Sequence, residues 1–77
     1  MRNLLAFDLG ASNGRAILGR FDGTRVTLHE LHRFENNYIE MNGVFYWDLP
    51  YLYQQLKLGF LAFRQANMGE LDCFGID

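Results

Sequence analysis

A carboxylate followed by a glycine-containing turn stands near the start of the chain, in the sequence Asp-Leu-Gly-Ala-Ser-Asn-Gly-Arg at residues 8–15. Apolar runs at 4–7 and 16–18 flank it, which predicts a strand, a tight loop and a returning strand. The backbone N–H groups of such a loop can bind an anion, and Asp8 at its mouth can hold a cation beside that anion. The pattern therefore indicates a site for a nucleotide phosphate and its magnesium ion.

Two familiar phosphate loops do not fit this segment. A Walker loop needs four residues between its glycines and a lysine after the second, whereas Gly10 and Gly14 are closer together and no lysine follows. A dinucleotide fingerprint needs three glycines and a following helix, but this loop has two glycines and residues 16–21 are typical of a strand. The loop composition alone leaves an ordinary hairpin, whose glycines permit positive φ, as an alternative.

Length, charge and cysteine content exclude several classes of protein. The 77 residues make one small domain at most, and 49% of them are hydrophobic, so we expect an amino-terminal fragment of a larger protein. The net charge is −2 and the basic residues are scattered, so no nucleic-acid partner is expected. A single cysteine and an apolar start too short for a signal peptide or a membrane span favour the cytoplasm.

Alternating apolar residues and turn signals predict three strands in the first half of the chain, at 3–9, 15–21 and about 24–34. Asp22-Gly23 predicts a hairpin turn between the second and third strands, and a bulge near His29-Glu30 would reconcile the apolar pattern of the third. The first strand is apolar nearly throughout, so we expect it to be covered on both faces.

The second half of the chain predicts a small hairpin, a helix and a last strand. Asn42-Gly43 between two β-prone runs indicates a hairpin lying off the main sheet. Asp48 is the expected helix cap, with Asn67 or Gly69 at the other end and a core strand at 71–77. Apolar residues at three- and four-residue spacing predict the buried helix face, namely Leu49, Leu52, Tyr53, Leu56, Phe60 and Phe63.

The element order is therefore β-β-β-α-β, the order of an α/β fold with a mixed sheet. A crossover through the helix lets the last strand run parallel to the first. If these two strands are neighbours, Asp8 and Asp77 emerge at the same edge of the sheet. Open α/β sheets bind ligands at the carboxyl ends of their strands. For Asp77 a plain role in starting a turn is an equal alternative.

This order, with a glycine-containing hairpin after an aspartate, resembles the opening of the RNase H-like superfold of sugar kinases, Hsp70 and actin. The octet at 8–15 more closely resembles the rhamnulokinases of the FGGY carbohydrate kinase family, as do Leu-His-Arg-Phe-Glu-Asn at 31–36, Asn42-Gly43, Trp47-Asp48 and Phe-Gly-Ile-Asp at 74–77. The resemblance spans almost the whole chain and makes residues 1–77 the first, incomplete part of the first kinase domain.

The resemblance implies ATP-dependent phosphorylation of L-rhamnulose at its 1-hydroxyl with magnesium, in rhamnose catabolism. Asp8 would help to position the metal through water, and Arg15 would face a phosphate, although a surface salt bridge is its plain alternative. The catalytic base is expected outside this chain, which should be inactive alone. The residues expected to contact the ATP phosphates are Ala11, Ser12, Asn13, Gly14 and Arg15; many rhamnulokinases have Ser where Asn13 stands.

Three other functions stay open on the sequence. Another FGGY kinase, acting on L-fuculose, xylulose or glycerol, would share these motifs. A non-kinase ATPase switch of the same superfold would share the hairpin. A self-standing interaction module would bury the aromatic residues, which are 16% of the chain, by self-association.

Several other residues have a chemical and a plainer interpretation. His29 and His32 are one residue short of the zinc motif H-E-x-x-H and would face opposite sides of a strand unless a bulge intervened, so we expect solvent-facing or hydrogen-bonded histidines. Cys73 is expected in the core. Phe45-Tyr46-Trp47 favours core or interface packing over a sugar-stacking site.

Overall fold

The computed structural model describes all 77 residues and contains a four-stranded mixed sheet, a separate two-stranded hairpin and one helix. The sheet order is β3-β2-β1-β6, with β1 antiparallel to β2 and parallel to β6. The predicted α/β fold with its mixed sheet is confirmed. The elements are β1 (Arg2–Leu9), β2 (Asn13–Phe21), β3 (Val26–Glu35), β4 (Ile39–Met41), β5 (Val44–Tyr46), α1 (Leu49–Ala66) and β6 (Cys73–Ile76).

The predicted turns at Asp22-Gly23 and Asn42-Gly43 both form, the first through side-chain hydrogen bonds and the second through left-handed backbone conformations. In the β2–β3 turn, Asp22 Oδ1 accepts hydrogen bonds from the backbone N–H groups of Thr24 at 2.9 Å and Arg25 at 2.8 Å. In the β4–β5 turn, Asn42 and Gly43 have φ values of 53° and 76°, the left-handed pair that a two-residue hairpin needs. The hairpin β4–β5 lies outside the main sheet, as predicted.

A β-bulge interrupts the pairing of β2 with β3. Ala16 pairs with His32, whereas the next residue, Ile17, pairs with Glu30, so Leu31 is the additional residue. The predicted bulge is therefore confirmed, centred one residue beyond the expected pair. It brings Phe34 to the buried face of the sheet at the end of β3.

Helix α1 begins and ends where the sequence predicts. Asp48 Oδ1 accepts from the Tyr51 N–H at 3.2 Å, and Pro50 occupies the first turn, where no N–H is needed. At the other end Asn67 adopts the left-handed conformation and its N–H donates to Arg64 O at 3.2 Å. No helix in the structure is both long and apolar enough to span a membrane.

Helix α1 covers one face of the sheet, and the core lies between the two. It lies close to the sheet at Gly59, where an added Cβ would overlap the Phe7 ring and lie 3.1 Å from Ala16 Cβ. The predicted burial of Leu49 and Tyr53 is wrong, because the buried stripe of the helix is narrower than the apolar pattern and leaves them 68% and 64% exposed. The core cluster consists of Leu5, Phe7, Ala16, Leu18 and Phe63.

The expectation that β1 is covered on both faces is wrong for this chain. Leu5 and Phe7 are buried under the helix, whereas Leu4 between them is 39% exposed, because the only helix lies on one face. The last strand was also expected in the core, but β6 forms the sheet edge and all its residues are exposed. The predicted burial of Cys73 is wrong for the same reason.

A buried asparagine fixes the end of the sheet far from the β1–β2 loop. Asn3 is 3% exposed; its Nδ2 donates to Met68 O at 3.1 Å and Glu70 O at 2.8 Å, and its Oδ1 accepts from Arg20 Nε at 3.1 Å. Its backbone N–H donates to the Asp72 carboxylate at 2.7 Å. These bonds attach the segment between α1 and β6 to β1 and β2.

Candidate functional site

The loop between β1 and β2 lies at the carboxyl end of β1 and is held mainly through its carbonyl groups. Gly10 N–H donates to Asn13 O at 2.8 Å, which closes the turn. The Gly10 carbonyl in turn accepts from Asn36 Nδ2 at 2.7 Å, and the Ser12 carbonyl accepts from the Asn36 N–H at 3.1 Å. Of the four carbonyls from Gly10 to Asn13, only that of Ala11 accepts no hydrogen bond.

The backbone donors at the tip of this loop have no partner in the chain. The N–H groups of Ala11 and Ser12 donate to no protein atom, and both residues are exposed to solvent. Unpaired successive N–H groups in a tight turn are the donors with which backbone loops bind phosphates and other anions. The loop can therefore receive an anion without first breaking any hydrogen bond of its own.

The second glycine of the motif is required by packing. Gly14 is buried and pairs with Leu9 on one side and Phe34 on the other. A Cβ at Gly14 would overlap the Phe34 ring, so only glycine fits while the ring keeps its place. The ring thus supports the loop from the core side, and that contact explains the second glycine of the motif.

The two charged residues of the motif form an ion pair across β1 and β2. Arg15 Nη2 lies 3.0 Å from Asp8 Oδ2, and the two residues are direct cross-strand neighbours. The side chains are 38% and 48% exposed, so the pair contributes only about 0–1 kcal/mol. The salt bridge considered as the alternative for Arg15 is thus present. So weak a pair can separate when a phosphate or a cation binds. The contacts of Arg15 with phosphate and of Asp8 with the metal stay predictions.

Asp77 adjoins Asp8 at the carboxyl ends of the neighbouring strands β6 and β1, as expected from the crossover for neighbouring strands. The backbone of Asp77 continues the parallel pairing, because its N–H donates to Phe7 O at 2.9 Å and its carbonyl accepts from Leu9 N–H at 2.8 Å. The strand ends thus bring two carboxylates beside the loop. The chain contains no cluster of three or more histidine, cysteine, aspartate or glutamate side chains suited to a metal, and it encloses no pocket.

The two histidines of β3 fall on the same side of the sheet because of the bulge. His29 pairs with Leu18 and His32 with Ala16, and both of these β2 residues face the helix. His32 Nε2 hydrogen-bonds Gln55 Oε1 at 2.7 Å, whereas His29 is exposed. The expectation of solvent-facing or hydrogen-bonded histidines is confirmed.

An aromatic cluster lies on the small hairpin and its flanks. The Tyr38 ring centroid is 5.1 Å from that of Trp47 and 6.0 Å from that of Phe45. Phe45 and Trp47 are 66% and 47% exposed. The prediction of core packing is therefore wrong for these two residues, because the only helix covers the main sheet and not the hairpin. The interface and sugar-stacking interpretations stay predictions.

Asn36 is the site residue that sequence reasoning missed. It entered only as part of the segment 31–36, with no role of its own, yet it is 2% exposed and makes two bonds to the loop. A signal was available: Asn36 follows Phe34 by two residues, so alternation places a polar side chain on the same inward face as an apolar ring. A buried amide in that position needs partners, and the loop supplies them.

The sheet order and the glycine-containing first hairpin are consistent with the opening of an α/β domain of a sugar kinase. No family model matches the chain. Individual proteins do match, and the chain is 43% identical to the rhamnulokinase of Halalkalibacterium halodurans, over 100% of its own length and 16% of that protein. It is also 40% identical to the rhamnulokinase of Bacteroides thetaiotaomicron, over 99% of its length.

A third relative, the rhamnulokinase of Oceanobacillus iheyensis, is 44% identical over 95% of the chain. The predicted resemblance to rhamnulokinases is confirmed, and the chain corresponds to an amino-terminal fragment of such a protein. It spans 16% of the length of each relative.

Proposed function

We propose that the protein containing this chain is an ATP-dependent sugar kinase of the FGGY family that phosphorylates L-rhamnulose at its 1-hydroxyl. Residues 1–77 are proposed to form the first part of its first domain and to carry the phosphate-binding hairpin. The similarity to three rhamnulokinases over 95% or more of the chain supports the choice of this reaction.

One structural observation carries the proposal for the hairpin. The N–H groups of Ala11 and Ser12 are free, while the carbonyls of Gly10, Ser12 and Asn13 are bonded within the chain. Free donors are what an anion site needs, and of the carbonyls from Gly10 to Asn13 only that of Ala11 is not engaged elsewhere. We therefore propose that residues 11–15 contact the ATP phosphates, with Arg15 adding a guanidinium charge.

Asp8 is the residue that would hold magnesium, through water, beside the loop. Magnesium keeps several waters and is often held by one or two carboxylates together with substrate phosphates, so a half-exposed carboxylate without a three-ligand cluster fits this mode. When bound, the ion neutralises charge on the phosphate oxygens. Asp77 adjoins Asp8 in the sheet and is close enough in register to assist.

The chain alone is proposed to be inactive. Phosphoryl transfer depends on positioning and charge neutralisation, which require the sugar, the nucleotide and a base to be held together. The isolated chain encloses no pocket in which this could happen. The sugar, ATP and the rest of the parent chain are therefore its proposed partners, and the cytoplasm, where a lone thiol stays reduced, is the proposed compartment.

The first test is ADP release by the full-length protein with magnesium-ATP and a panel of ketoses. Selective turnover of L-rhamnulose supports the proposal. Turnover of L-fuculose, xylulose or glycerol instead would keep the kinase and replace its substrate. Sugar-independent hydrolysis would indicate an ATPase switch, and no hydrolysis would favour an interaction module.

The second test addresses the hairpin with two arginine substitutions of equal charge change. Arg15→Ala should raise the KM for ATP about tenfold or more while the KM for the sugar stays the same, because a charge-assisted contact to phosphate is lost. Arg25→Ala removes the same charge from the exposed turn at the other end of β2 and serves as the control. Equal effects of the two substitutions would refute a specific role for Arg15.

A further inference from the structure

A buried residue directly after β3 is hydrogen-bonded to the β1–β2 loop. Asn36 reaches the loop twice, through Nδ2 to Gly10 O at 2.7 Å and through its backbone N–H to Ser12 O at 3.1 Å. The two carbonyls flank Ala11 and so lie on either side of the free N–H groups. Both ends of the loop tip are thereby fixed to one residue that is distant in sequence.

The anchor itself is held in place by the helix. Tyr51 Oη donates to Glu35 O at 2.8 Å, and the Tyr51 ring meets the Phe34 ring edge-on with centroids 6.3 Å apart. Tyr51 belongs to the first turn of α1, where its N–H is bonded to Asp48. Helix, strand end and loop therefore form a continuous series of contacts leading to Asn36.

Burial makes the Asn36 contacts specific. The residue is 2% exposed, and removing its amide would leave the Gly10 carbonyl without this partner, which would favour another loop conformation. The neighbouring Asn37 has the same side chain but is exposed and makes only a 3.5 Å contact to Glu35. Adjacent asparagines thus offer a test residue and its matched control.

We propose that Asn36 is a positioning residue of the nucleotide site, which holds the Gly10–Asn13 loop with its Ala11 and Ser12 N–H groups free for phosphate. This inference rests on the proposed function of the hairpin. Asn36 touches neither the sugar nor the phosphate in this proposal. It acts by keeping two carbonyls engaged and the loop in one conformation before ATP arrives.

The test compares Asn36→Ala with Asn37→Ala in the full-length protein, first by hydrogen exchange without nucleotide. Asn36→Ala should speed exchange of the Gly10 amide, the loop N–H that is bonded to Asn13 O, about tenfold and leave the β2–β3 amides unchanged, because one net hydrogen bond that holds the loop is lost. Asn37→Ala should change neither. Unchanged loop exchange in Asn36→Ala would overturn the inference, whatever the protein proves to phosphorylate.

The second readout is steady-state kinetics with ATP varied. Asn36→Ala should raise the KM for ATP about five- to tenfold, with the KM for the sugar unchanged. Equal rises in both KM values would indicate general damage and overturn the positioning role. If Asn36→Ala does not fold, Asn36→Asp preserves the size but replaces the Nδ2 donor by an oxygen facing Gly10 O, and the same two readouts apply. A failed proposed function would appear separately, as absent sugar-dependent turnover in the unsubstituted protein.

Discussion

Replacing Asn3 by alanine should weaken the attachment of the last strand to the sheet. The side chain makes three hydrogen bonds, to Met68 O, Glu70 O and Arg20 Nε, at 3.1, 2.8 and 3.1 Å. At roughly 1 kcal/mol net for each bond, their loss costs about 3 kcal/mol. Met68 O keeps a bond from Arg20 Nη2 at 3.2 Å, whereas Glu70 O loses its hydrogen bond from Asn3 Nδ2.

The loss of stability should be confined to β6 and its pairing with β1, because these bonds connect only the segment before β6 to the first two strands. Native-state hydrogen exchange of the full-length protein measures it residue by residue. A loss of about 3 kcal/mol corresponds to exchange roughly a hundredfold faster at the β1–β6 amides, where opening is governed by this attachment. The amides of β3, on the other side of the sheet, should change little.

Asn37→Ala is the control, since it removes the same amide from an exposed position and should cost less than about 0.5 kcal/mol. A change of less than about fivefold at the β1–β6 amides in Asn3→Ala would refute the reasoning. So would an equal change in the two variants. Either result would mean that strand pairing alone, without the asparagine, holds β6.

The remaining predictions concern a close contact and two turns. Gly59→Ala should lower the thermal midpoint: the methyl group overlaps the Phe7 ring, and overpacking costs about 1–3 kcal/mol against about 1 kcal/mol gained in helix propensity. The double variant Gly59→Ala, Phe7→Leu should then lower the thermal midpoint by less than the sum of the two single decreases. Gly43→Val should weaken the β4–β5 hairpin, whose turn needs φ of 76°, as shown by faster exchange there only. The N–H of Arg25, and next that of Thr24, lowers the pKa of Asp22 below its usual 3.8. A lowered carboxyl pKa stabilises the folded state above the unfolded value, so the thermal-midpoint advantage over Asp22→Ala should be complete above about pH 4 and shrink as the pH falls further.

Local chemistry made the turns, the helix ends and the order of the elements along the chain predictable. Each of these features depends on residues only a few positions apart, so a short stretch of sequence contains everything that the turn or cap needs. The examples are Asp22-Gly23, Asn42-Gly43 and Asp48. The parallel placement of β6 beside β1 followed from the helical crossover, which also located Asp77 beside Asp8. The predicted loop residues 11–15 lie together at the end of β1.

Burial could not be predicted as well, because it depends on which surfaces meet. Leu49 and Tyr53 share the apolar spacing of α1 but lie beyond the narrow stripe that touches the sheet. Leu4 belongs to an apolar run, yet its face of the sheet has no covering element in this chain. Asn36 was missed for the opposite reason, since its partners on the loop are 24 and 26 residues away in sequence.

The pairing of β1 with β6 also bears on how the chain is made. Leu4 pairs with Cys73, and Asn3 with Asp72 across 69 positions, whereas β1, β2 and β3 pair through short turns. A chain emerging from the ribosome can therefore form the three-stranded meander long before its last strand exists. At about 5–20 residues per second, one edge of β1 stays open for roughly a few seconds. During that interval the unpaired edge of β1 is open to pairing with another chain, which makes this stage of synthesis the one most prone to aggregation.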